Sequence, residues 1–150
     1  MSSILAPSNG AGAPLYFRKR DLRAAVSACV VGIDGLDVLP SVTRQAPPKS
    51  RKWAHVVISR DAVGEPGAAS HRGSGRPQIR DRTVIVVLNI RSGDRGDIED
   101  EIDDLTEDVE AAIYDGVPKI RLRSIEIEYD ANQSQVIASA LMEFEHSTSA

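Results

Sequence analysis

Positions 94 to 110 crowd Asp94, Asp97, Glu99, Asp100, Glu101, Asp103, Asp104, Glu107, Asp108 and Glu110 into one segment. Carboxylates at that density are the raw material of a hard-cation site or of acid/base chemistry, and both require oxygens that converge on one point. The apolar residues argue against convergence. Ile98, Ile102, Leu105, Val109, Ala112 and Ile113 step by four, three, four, three and one, the stripe of an amphipathic helix, which leaves the acids spread round the remaining circumference. "DRGDIEDEIDD" also lacks the glycine that a calcium loop places at its sharp turn. Asp94 and Asp97 precede the stripe, where a carboxylate suits an N-cap and the positive end of a helix. The segment reads as a solvated helix face.

The other chemistry-bearing types are no better assembled. His55, His71 and His146 are scattered, without the i, i+4 spacing of a zinc pair or the neighbours of a catalytic triad. "HRGSGRP" has the glycines and arginines of a phosphate cradle but no Gly-Lys-Ser/Thr and no following helix, so a basic loop is the simpler reading. "RGD" at 95 to 97 is accounted for by the start of a helix. Cys29, the one cysteine, lies on an apolar stripe as a small core residue, and Trp53 reads as core or interface. No catalytic, cofactor-binding or metal residue is expected. Arg72, Arg76, Arg80 and Arg82 need acidic partners, and carboxylates of another subunit suit their forked geometry. Those four arginines, with Asp103, Asp104 and Glu107, are the candidate protein–protein interface.

The chain has 150 residues, 27% of them charged, with net charge -4, enough for one domain with its own core. Most Lys and Arg precede position 96, so the charge is polarised along the sequence; nucleic-acid binders more often show an overall basic balance. A lone cysteine excludes an intramolecular disulfide and fits a reducing compartment. The opening residues lack a signal-peptide pattern and no apolar run reaches the roughly 20 residues of a membrane span, so a soluble protein made in a cytoplasm is expected.

Residues 1 to 16, rich in Ser, Ala, Gly and Pro, read as a flexible arm, 17 to 147 as the domain and 148 to 150 as a tail. Leu22, Val26, Cys29, Val30 and Ile33 mark a first helix ended by Gly32 or Gly35. "LDVLPSVTRQ" and "WAHVVISR" are strands separated by "APPKSRK", and Pro40 places the first at an edge or a bulge. Residues 61 to 81 form an extended basic loop, longer than connection requires. "TVIVVLNI" predicts a central strand covered on both sides. After the acidic helix, "KIRLRSIEIEY" and "QVIASALMEFEH" give two more strands joined by "DANQS", with a slip of the apolar phase near Ser124 that predicts a bulge. The order is α-β-β-(long loop)-β-α-β-β. It implies an α+β fold, a mainly antiparallel sheet of about five strands with two helices on one face.

That order, with the "TVIVVLNI" strand, the acidic helix ending "EAAIYDG", "IRLRSIEIEYD" and the closing "ASALMEFEHST", resembles the tail terminator (tail-completion) proteins of long-tailed bacteriophages over about residues 18 to 147. The resemblance implies a structural virion protein, made in the host cytoplasm and located at the tail or neck. It would form a homo-oligomeric ring, a hexamer, that caps the tail tube, and its partners would be the tail tube protein and head–tail connector proteins. It implies no enzyme activity, no cofactor, no membrane and no specific nucleic acid. Alternatives are another phage neck or head-completion protein, a nucleic-acid-binding module using the Arg-rich loop, and a metal-dependent hydrolase whose acids converge after all.

Overall fold

A computed structural model describes residues 18–39, 50–63, 80–92, 97–132 and 135–148. In chain order these form α1 (Lys19–Val31), β1 (Leu36–Val38), β2 (Lys52–Val63), β3 (Arg80–Arg91), α2 (Ile98–Gly116), β4 (Ile120–Asn132) and β5 (Gln135–Ser147). The strands make one sheet in the order β1-β2-β3-β5-β4. The fold is α+β, as the alternation of periods implies. The expected arm, Pro40 and most of the 61 to 81 loop lie outside the described residues.

Strict alternation along β3 builds the core. Val84, Val86, Leu88 and Ile90 are fully buried, and cross-strand pairing extends their row to Val56, Ala54, Met142, Phe144, Ala140 and Ala138. Onto this face pack Leu22, Val26 and Val30 of α1 and Ile102, Leu105, Val109 and Ile113 of α2. α1 lies over β1 and β2, whereas α2 lies over β3, β5 and β4.

The structure departs from the sequence reading at four places. β3 is central, but Thr83, Ile85, Val87 and Asn89 on its second face are only half-buried, because both helices lie on the other side. Its near-continuous apolar run therefore does not mean two covered faces. β1 pairs with β2 in parallel, not as a hairpin; residues 39 to 51 meet the length of about a dozen that a parallel return needs. β1 is the edge strand that Pro40 suggests. The 61 to 81 loop loses both ends to the sheet, since Asp61↔Arg82, Ala62↔Asp81 and Val63↔Arg80 are in register and ladder hydrogen bonds outweigh their polar composition. Finally, Thr148 is buried and exchanges hydrogen bonds with the Arg80 backbone at 2.7 and 3.0 Å, so the closing strand is anchored where a tail was expected.

Other features match local chemistry. The β4 register shifts between Leu122 and Ser124, where the apolar phase slips. A second shift, between Ile58 and Arg60, has no comparable signal. Gly35, at φ 78°, takes the left-handed turn that carries α1 into β1. Asp97 occupies the N-cap position of α2 without a side-chain cap bond, and Glu99, Asp100 and Glu101 complement the helix's positive end instead.

The two helices touch where Cys29 meets Gly116. A Cβ placed on Gly116 would collide with the Cys29 Sγ. Gly116→Ala is expected to destabilise the fold by about 1 to 3 kcal/mol through overpacking, and Cys29→Ala in the same chain is expected to recover most of the loss. Chemical denaturation of both single variants and the double variant measures this coupling. Purely additive losses would mean that the contact is not the cause.

Candidate functional site

Of the four arginines expected to meet a partner, Arg72 and Arg76 lie outside the described residues. Arg80 and Arg82 are not on a loop. They stand in β3, where Arg82 faces Asp61 across the ladder, and the Asp61 carboxylate accepts from Arg80 Nη1 at 3.0 Å and from Arg82 Nε at 3.1 Å. The Arg82 side chain is only 3% exposed. It therefore serves the fold, and its charge is turned inward rather than toward a partner's carboxylates. Burial pushes the Asp61 carboxyl up, but the two guanidiniums outweigh it and hold it below the usual carboxylate range.

His146 completes this end of the sheet, opposite Arg82 on one side and Ile120 on the other. It is 2% exposed. Burial lowers its pKa to about 4; the Arg82 charge acts in the same direction, and the Pro118 backbone partly opposes both. The imidazole is neutral at physiological pH.

Asp103, Asp104 and Glu107 are exposed on α2 as expected, and their spacing keeps them on one arc of the helix. Asp103 lies on the β4 side with Glu99: burial, then the charges of Glu99 and Asp103, push up the hydroxyl pKa of Tyr129 on β4. Asp104, about 100° further round the helix, shares the side of Glu101. Glu101 is already paired, accepting from Arg51 Nη1 at 2.8 Å, and the Arg51 guanidinium holds its carboxyl below the usual range. Arg80 and Arg82 are thus engaged with Asp61 rather than with these acids of α2. Among the described residues no three His, Cys, Asp or Glu side chains group as metal ligands.

The rim of β4 was not foreseen. Ile125 and Tyr129 point to the helix side of the sheet yet are 37% and 46% exposed. Tyr114 joins the rim from the last turns of α2. Its ring meets Phe144 edge-on at 6.5 Å, and its hydroxyl oxygen accepts from the Leu122 N–H at 2.8 Å. On the other face of β4, Glu126, Glu128 and Asp130 are exposed. The alternation in "SIEIEYD" marks the two faces of the strand, but it does not reveal that the apolar face is left uncovered.

The opposite flank has the other sign. Arg18, Lys19, Arg20 and Arg23 are all exposed on α1 or at its start, with Asp21 the acid of the first turn. A mixed cleft at one end of the open sheet face is lined by Arg60, Asp81, Lys119, Arg121, Glu145 and Ser147. There Glu145 pairs with Arg121 at 3.1 Å and also with Arg123.

The buried histidine sets an acid limit on stability. Its folded pKa lies below the unfolded value, so stability is full above about pH 6.5 and falls as the unfolded chain takes up a proton that the folded chain refuses. Between pH 6.5 and 4 the loss is expected to reach about 3 kcal/mol, and His146→Gln should flatten that slope. Urea denaturation across this range checks it. Below that window Asp61 adds a loss of the same sign, since its depressed pKa stabilises the fold only while it is ionised. No family model matches the chain and no curated protein matches it, so a functional reading rests on the residues and geometry above.

Proposed function

We propose that the chain is a structural virion protein, a tail terminator of a long-tailed bacteriophage whose copies form a ring that caps the tail tube and meets the head-side connector. The observation that carries this reading is the placement of unlike charge on opposite flanks: exposed arginines and lysine on α1 over β1 and β2, exposed carboxylates on α2 and β4. Surfaces of opposite sign on one chain suit heterologous self-association, in which each copy offers one face and receives the other, and such contacts close into rings when the rotation allows. The α-β-β-β-α-β-β order supports the same reading, because it is the order on which the resemblance to tail terminators rests. The hexameric count and the tail-tube and connector partners come from that resemblance.

The purified protein is expected to form six-membered rings by analytical ultracentrifugation and negative-stain electron microscopy, and to bind the ends of tail tubes. Capsid, connector and tail-tube genes are expected beside its own. A chain that neither assembles nor binds tube ends, in a genome neighbourhood without virion genes, would overturn the reading.

A further inference from the structure

We infer that copies of this chain dock head to tail, with the α2/β4 flank of one seated against the α1 flank of the next. The inference deepens the ring reading, on which it rests, by assigning the two surfaces that meet.

Three observations select this contact. Among the described residues β4 pairs with β5 alone, so a 13-residue strand offers its outer edge. Beside that edge Ile125 and Tyr129 are exposed apolar groups, and tyrosine is a common anchor of protein interfaces. Carboxylates frame them on both sides: Glu99 and Asp103 from α2, Glu128 and Asp130 from the far face of β4.

Charge then decides the symmetry of the contact. Two β4 edges meeting about a two-fold axis near Glu128 would set Glu128 against its own copy and Glu126 against Asp130, and like charges facing across a ladder are destabilising. Two α1 flanks would likewise oppose Arg18, Lys19, Arg20 and Arg23. The heterologous contact brings each set to the opposite sign. A rival role for the β4 carboxylates is to guard an open edge against aggregation. Guarding needs charge of either sign, whereas docking needs negative charge, so reversing the sign separates the two.

One variant reverses the acidic flank (Asp103→Lys, Glu128→Lys, Asp130→Lys), and a second reverses the basic flank (Lys19→Glu, Arg20→Glu, Arg23→Glu). All six positions are exposed, so both should keep the wild-type circular-dichroism spectrum. By sedimentation velocity at low salt each variant alone should need at least about tenfold more protein to assemble, whereas a one-to-one mixture should assemble close to wild type, because every flank again meets its opposite. Variants that assemble as well as a ring-forming wild type would overturn the assigned surfaces and leave the ring reading standing. A mixture that stops at two-chain species would overturn head-to-tail docking. A wild type that never assembles would overturn both.

Discussion

The structure depends on a mismatch of width. Two packed helices, each about 10 Å across, cover about four strands spaced roughly 4.8 Å apart, and the sheet has five. α1 takes the β1/β2 side and α2 the β3/β5 side. β4 is therefore only partly roofed. Tyr114 reaches over its first half to Leu122 and meets Phe144 edge-on, whereas Ile125 and Tyr129 further along are left 37% and 46% exposed. The exposed rim follows from architecture rather than from an excess of apolar residues.

At the other end of the sheet a polar row takes the place of the apolar core. Asp61, Arg82, His146 and Ile120 follow one another across β2, β3, β5 and β4 on the face that elsewhere carries Val, Met and Phe. A buried guanidinium is tolerable only with its charge answered, and Asp61 answers it. Burial, with that positive charge acting in the same direction, keeps the adjacent imidazole neutral. This row also helps β2 and β3 extend past their apolar stretches: Asp61 pairs with Arg82 opposite it and with Arg80 further along β3, where composition alone reads as loop.

The legible parts of the fold were those encoded by period. The stripe from Ile98 to Ile113, the alternation from Ala138 to Phe144 and the phase slip near Ser124 each map directly onto burial or register. What periodicity cannot encode is how many layers lie on each side of a strand or which distant residues pair. "TVIVVLNI" looks the same whether its second face meets a helix or solvent, since Ile85 and Val87 shelter one another among half-buried neighbours. Arg82 looked like a surface cation because its partner stands 21 positions away in sequence, on the facing strand. The candidate site was legible in its charges and not in its geometry: Asp103 was named correctly as exposed, but its setting beside Tyr129 is a product of packing.

That setting turns charge pattern into orientation. On one side of α2, Glu101 is neutralised within the chain by Arg51, so that side is tied to the base of β2. On the other, Glu99 and Asp103 stand over the β4 rim beside Tyr129, and Glu128 and Asp130 add to the same negative field from below. Holding so many like charges on one flank costs stability through repulsion, a cost that an opposing cationic surface relieves. Because the Debye length is about 8 Å at physiological ionic strength, this field acts mainly over the last water layers before contact. It therefore selects which surfaces and which orientation can approach closely, while apolar groups such as Tyr129 and Ile125 supply the burial that holds them once they have met.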